Sequence, residues 1–218
     1  MTLRLLRPWT TEWSSRSFRL ELFATAIGMV VLLRFFTRFL VHVEARPGAV
    51  LNDPLLAMFP PVDLNWLTFT LIYGALLIGI ASLAGHPRQL LFALQTYIVM
   101  VTIRMIAMYL TPLDPPATMI PLRDPTVEYI GTGVRLSKDL FFSGHTSTML
   151  LLFLTAHHRV LRGIFLFCTI AVGCCVVLQH THYAIDAFAA PFFAYAAYRI
   201  VLLAHGTRES APVQSAGA

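Results

Sequence analysis

Two stretches of the chain set reactive side chains at the mouths of apolar runs. The first, FFSGHTSTMLLLFLTAHH over 141–158, places Ser143, Gly144, His145 and Thr146 directly ahead of a segment apolar enough for lipid. The second, HTHYAIDAFAAPFFAYAAY from residue 180, does the same with His182, Tyr183 and Asp186. His182 and Asp186 are four residues apart, so on a helix they share a face. A carboxylate there accepts the proton of one imidazole nitrogen, fixes the tautomer and leaves the other nitrogen to attack. His145 supplies a second imidazole, suited to protonating a leaving group. Gly144 before it lets a phosphate or a backbone approach closely, and the start of a helix favours an anion. Arg104 adds a fork of donors for phosphate oxygens. Such a set suits two-step phosphoryl transfer through a phosphohistidine, with no metal and no cofactor.

The elements that must carry these groups are membrane helices. Of the 218 residues 57% are hydrophobic and 12% charged, with positive mean hydropathy. A soluble domain carries about twice that charge fraction. The expected fold is all-α, a polytopic membrane protein with six transmembrane helices in one bundle. The candidate spans cover about 20–41, 64–84, 90–110, 140–157, 161–179 and 183–204, each near the ~20 residues that cross a bilayer core. HVEARPGAVLNDPLLAMFPPVD and PLDPPATMIPLRDPTVEYIGTGVRLSK are too rich in Pro to be helices and read as loops outside the hydrocarbon. Residues 1–19, with Trp9 and Trp13 among arginines, read as an interfacial segment rather than a cleavable signal. Residues 20–205 form the membrane domain and 206–218 a disordered tail. Cys168, Cys174 and Cys175 lie in one apolar run and read as small buried residues.

The distribution of Lys and Arg favours the N-terminus inside. The third span then runs outward and the fourth and sixth run inward, so Arg104, His145, His182 and Asp186 meet at one depth, the outer face. Ionisable groups inside a bilayer are expensive and mark function. Each part alone has a plainer reading. A His at a span end is usually interfacial, and an H-x-x-x-D pair on a helix is often a packing ion pair. His42, His86, His157, His158 and His205 fit loops and span ends. His180 and His145 could begin a metal site, but no further ligand is spaced to complete it. The joint occurrence at one depth is what favours chemistry. The net charge of +5 is spread along the chain and reads as topology and headgroup contact, not as a nucleic-acid surface.

SKDLFFSGHTSTMLL, followed by HYAIDAFAAPFFAY, resembles the two hallmark motifs of the sphingomyelin synthase family. RMIAMYLTPLDPP resembles a third, and PPVDLNW at 60–66 echoes a fourth. The resemblance spans about 50–200 and implies a six-span core shared with the type 2 phosphatidic-acid phosphatases. It implies a catalytic triad of His145, His182 and Asp186, with His182 taking the phospho-headgroup and His145 serving the leaving diacylglycerol oxygen. Asp139 matches the family's acidic residue ahead of the SGH motif. Two departures stand out. Ser137 and Lys138 replace the family's Cys-Gly, and Lys138 puts a cation near the mouth that disfavours choline. The phosphatase branch's Lys/Arg-Pro and Ser-Arg signatures are missing, which argues against a plain lipid phosphatase.

The expected activity is therefore transfer of phosphocholine or phosphoethanolamine from a glycerophospholipid to ceramide or another lipid alcohol. Substrate-binding residues are expected to be Arg104, Tyr109, Asp139, Ser143, Gly144, Thr146 and Tyr183. The amine could meet outer-loop carboxylates (Asp114, Asp124, Glu128) or aromatics (Tyr109, Tyr129). Partners are the donor phospholipid, the acceptor lipid and the membrane, with no nucleic acid; a homo-oligomer is left open. The expected location is a bacterial cytoplasmic membrane, with the site on its outer face. Two other readings stay open: a lipid phosphatase or phospholipase C-like hydrolase using water, and a non-enzymatic transporter or assembly subunit using the same groups as a proton relay.

Overall fold

The computed structural model describes residues 8–122 and 136–210, with side chains to 206. The described residues form seven α-helices in order: α1 (Trp9–Trp13), α2 (Arg16–Ala45), α3 (Asn65–Ala84), α4 (Pro87–Leu110), α5 (Gly144–Thr155), α6 (Arg159–Leu178) and α7 (Ala184–Ser210). Five of them, α2, α3, α4, α6 and α7, are long and apolar enough to cross a membrane. The predicted fourth span is shorter than expected. Over 140–157 the helix is α5, 12 residues and about 18 Å long. It runs from the level of Arg104 to that of Gln89, whose side chain donates to the Thr155 carbonyl. Residues 140–143 lack helical form, and Ser143 caps the helix by accepting the Thr146 amide on its hydroxyl. Bilayer thickness does not set the length of α5, because it packs against α3, α4, α6 and α7 in the middle of the bundle. The last helix continues to Ser210; residues 211–218 of the expected tail lie outside the described residues.

Two apolar clusters hold α5 in place. On one side Met149 and Leu152 pack with Phe69, Ile72 and Ala75 of α3 and Phe165, Cys168, Val172 and Val176 of α6. On the other, Leu151 meets Ala93 and Met100 of α4 and Ala194 and Ala197 of α7. Ala190, Ala194 and Ala197 have no exposed surface. Small residues at helical spacing let backbones approach closely, the main packing device where lipid tails are as apolar as the core. Five threonine hydroxyls within these helices are satisfied locally. Thr70, Thr96, Thr102, Thr155 and Thr169 each donate to the carbonyl four residues earlier, as an apolar solvent requires. Cys168 and Cys175 are buried as expected, whereas Cys174 is exposed, in a groove lined also by Gly173 and Val177.

Helix α2 differs from the rest. Only 6% of its most apolar window is buried, and Leu20, Phe23, Ile27, Val30 and Val31 all face outward. It packs along α4 and makes no extensive contact with α3. Its two ends are tied instead. Trp9 of α1 donates to the Ala84 carbonyl at the end of α3 (2.6 Å), and Arg88 pairs with Glu12 at 2.7 Å. At the other end Glu44 accepts the amides of Ser137 and Lys138 at 2.9 and 3.0 Å, and Arg46 donates to the last carbonyls of α4.

The loops over this second end are laced by short backbone contacts. Ala49 donates to Pro112 and Asp114 donates back to Ala49, both at 2.9 Å. A Cβ on Gly48 would lie 2.4 Å from the Leu113 carbonyl carbon, and backbone cannot move aside cheaply. Gly48→Ala should therefore destabilise the protein by about 1–3 kcal/mol. Gly85→Ala, where a Cβ meets nothing within 4 Å, should leave the midpoint unchanged or slightly raised. Thermal unfolding of the detergent-solubilised variants checks the pair.

Candidate active site

The site assembles from two helix starts. At α7, Asp186 is the third helical residue and reaches back so that its Oδ2 accepts the Tyr183 amide at 3.3 Å, the carboxylate half of a capping box. The same oxygen lies 3.2 Å from Nδ1 of His182. That contact favours the tautomer with the proton on Nδ1 and leaves Nε2 with a lone pair. Asp186 has no exposed surface and His182 is only 4% exposed. At α5, the Ser143 amide donates to the backbone carbonyl of Asp186 at 3.1 Å. This one bond ties the SGH segment to the HYAID segment.

His145 and His182 line a single cavity of about 380 Å³, together with Arg104, Asp139, Gly144 and Thr148. Apolar walls come from Phe36 and Leu40 of α2, Ile72 and Leu76 of α3, and Met100 and Val101 of α4. Arg104, buried to 4% exposure, lies under the strap that leads into α5. Its Nε donates to the Phe142 carbonyl (2.8 Å), one terminal nitrogen to the Asp139 carbonyl (3.3 Å), and the other pairs with the Asp139 carboxylate at 2.9 Å. Gly144 is required by this guanidinium, since a Cβ there would sit 2.9 Å from Arg104 Cζ. Burial alone would push the Asp139 carboxyl up, but Arg104 outweighs it and holds the group below its usual range, helped by His182 and His145.

The other expected contacts are placed elsewhere. Ser143 and Tyr183 are buried struts: Ser143 caps α5, and the Tyr183 hydroxyl donates to the Asp114 carbonyl (2.8 Å) while accepting the Leu51 amide (3.1 Å). Thr146 faces the opposite side of α5, in a groove shared with Gly173. Tyr109 is 62% exposed and lies beneath the Arg46 guanidinium, away from the cavity. Lys138 does not line the cavity: its ammonium pairs with Asp114 at 2.7 Å and donates to the Arg46 carbonyl. That hydrogen bond holds the Asp114 carboxyl below its usual range. Asp124, Glu128 and Tyr129 lie outside the described residues. His180 turns to Thr118 (2.6 Å) and packs edge-on to Phe59. Among the described residues no three His, Cys, Asp or Glu are grouped to hold a metal.

Residues not anticipated from the sequence include Tyr73, Tyr97, Thr148 and Thr181, all on the cavity wall. Two of them carry a readable signal. Thr148 is one helical turn after His145, and Tyr97 is two turns before Arg104. Tyr73 and Thr181 have no such marker.

A pH prediction follows from the lowered Asp139. A depressed carboxyl contributes stability above its unfolded pKa of about 3.9, and that contribution is lost as pH falls through the folded value. The wild type should lose thermal stability progressively below about pH 4. In Asp139→Asn, less stable at neutral pH because Arg104 loses its counter-charge, that acid-side loss should be smaller. Midpoints measured from pH 3 to 7 for the two proteins test this.

The model of the family described as PAP2 superfamily C-terminal matches residues 138–203. Among curated proteins none matches the chain. The matched stretch begins beside Asp139 and contains both helix starts, His145, His182 and Asp186. This segment is thus similar to the C-terminal part of that superfamily, which supports relating the chain to the type 2 phosphatidic-acid phosphatases and their lipid phosphatase and phosphotransferase chemistry.

Proposed function

We propose that the protein is a lipid phospho-headgroup transferase of the sphingomyelin synthase type. It moves phosphocholine or phosphoethanolamine from a glycerophospholipid to ceramide or another lipid alcohol. The observation that carries this reading is the oriented His182–Asp186 pair and His145 on the wall of one cavity whose remaining walls are largely apolar. Nε2 of His182 attacks the donor phosphorus while the bond to the diacylglycerol oxygen breaks, and His145 gives that oxygen its proton. Asp186 holds Nδ1–H and stabilises the positive charge that develops on the ring. In the second step the acceptor hydroxyl loses its proton to His145 and attacks phosphorus, and the N–P bond breaks to return His182.

Arg104 uses three of its five N–H groups on the strap, which leaves two for phosphate oxygens. The amides at the start of α5 face the same charge. Acyl chains leave the cavity between α2 and α3, the neighbours in sequence that make no extensive contact. With Lys138 neutralised by Asp114, the headgroup amine meets the aromatic wall of Phe36, Tyr73 and Tyr97 rather than Tyr109. The apolar helices and the level of the site support a reaction just beneath the headgroups of one leaflet, and the charge distribution favours the outer one.

Purified protein given phospholipid labelled in the headgroup phosphate should accumulate acid-labile label on His182 and pass it to added ceramide. His145→Ala, His182→Ala and Asp186→Ala should each lose about 10² or more in turnover. Free phosphorylated headgroup produced at the same rate without ceramide would make the protein a hydrolase with water as acceptor. If His182→Ala keeps its activity and no phosphate is ever trapped, the phosphohistidine reading is wrong.

A further inference from the structure

The start of α7 has a second acidic contact that the chemistry above does not use. Asp53 lies in the Pro-rich loop between α2 and α3, 131 positions before Ala184, yet its Oδ2 accepts the Ala184 amide at 2.7 Å. Ala184 is the first residue of α7, and Asp186 stands two residues later in the same turn. The other oxygen of Asp53 accepts the Leu55 amide at 2.9 Å, with Leu56 at 3.4 Å, and so closes its own loop. One residue pair away, the Leu51 amide donates to the Tyr183 hydroxyl at 3.1 Å. The loop therefore grips the HYAID segment twice, once at the phenol beside His182 and once at the amide beside Asp186.

We propose that Asp53 is a positioning residue of the site, fixing the first turn of α7 so that Asp186 stays in register with Nδ1 of His182. The amides that open a helix have no partner within it. Here Asp186 takes the one at Tyr183 and Asp53 the one at Ala184. Without Asp53 the Ala184 amide competes for the nearest buried acceptor, and Asp186 is the carboxylate already in that turn. A shift of Asp186 toward Ala184 loosens its hold on His182. A hydroxyl in place of Asp53 offers a single acceptor oxygen, and an amide also offers one, so either can keep the Ala184 bond only by giving up the loop bond. The proposal rests on His182 being the nucleophile, and its test separates the two.

The experiment uses the full chain in lipid nanodiscs, comparing wild type with Asp53→Ala and Asp53→Asn. In the alanine variant kcat should fall about tenfold or more while KM stays within about twofold, because the cavity walls are untouched. The asparagine variant should recover most of kcat, since its amide oxygen can still accept from Ala184. A second readout does not depend on the lipid reaction: the side-chain ¹⁵N NMR signals of the 8 histidines, with His182 assigned by its loss in His182→Gln. The His182 Nδ1 signal should move toward that of an unbonded ring nitrogen in Asp53→Ala and return partly in Asp53→Asn. Unchanged kcat with unchanged His182 signals overturns the proposal. So does a loss of kcat that leaves those signals alone and that asparagine does not repair. If the wild type is inert toward every phospholipid while Asp53→Ala still moves the His182 signals, the positioning role stands and the transferase reading falls. Should the alanine variant fail to fold, Asp53→Asn carries the test. Its His182 Nδ1 signal must then move part of the way toward that of an unbonded ring nitrogen, and a signal left at the wild-type position overturns the proposal.

Discussion

One carboxylate oxygen organises the site. Oδ2 of Asp186 receives both the amide that opens α7 and Nδ1 of His182, so the act of starting the helix also orients the imidazole. The group is wholly buried, and a buried carboxylate is tolerated only with hydrogen bonds to its charged form. Those bonds come from its own turn, and the backbone of Asp186 then receives the Ser143 amide that fixes the start of α5. Breaking the first turn of α7 would therefore release His182, the Asp186 carboxylate and the SGH segment together. Local helix capping and the His182–Asp186 geometry are one set of contacts here.

The second charged pair works differently. Arg104 and Asp139 pair beneath the strap, where an unpaired charge would be costly. Arg104 comes from the last third of α4, and three of its nitrogens hold the turn that feeds α5. Gly144 completes this arrangement by omission, since any side chain would push the guanidinium away. The glycine between Ser143 and His145 thus answers a packing constraint from a helix some forty residues earlier. His145 gains its place on the cavity wall because the backbone just before it rests on an arginine.

The sequence made the apolar helices and the convergence of Arg104, His145, His182 and Asp186 legible, because period, charge and chain direction are local properties. It overestimated α5, because apolar residues packed inside a bundle look the same as residues facing lipid. Only contacts with four neighbouring helices show that 12 residues suffice. It also placed Ser143, Gly144, Thr146 and Tyr109 together on proximity in sequence. A helix turns by about 100° per residue, so Gly144, His145 and Thr148 share a face and Thr146 does not. Tyr109 follows Arg104 by five residues and is turned roughly 140° away, whereas Tyr97 and Val101 lie on the Arg104 stripe. Asp53 and Glu44 carried no signal at all. Each acts on backbone amides more than ninety residues away, and acceptance by a carboxylate leaves no trace in the residue that donates.

The bundle is asymmetric about the cavity. Helices α3, α4, α6 and α7 pack around α5, whereas α2 is largely exposed, packs along α4 and is tied at both ends. Phe36 and Leu40 of α2 nevertheless form part of the cavity wall. This wall is tied at Trp9, Glu12, Glu44 and Arg46, packs along α4 with the Phe36 ring against the Arg104 guanidinium, and makes no extensive contact with α3. The phospholipid donor proposed above must bring a charged headgroup to buried imidazoles while its chains stay in hydrocarbon. A polar half packed around α5, with an apolar helix on the other side of the cavity, suits both requirements of such a donor.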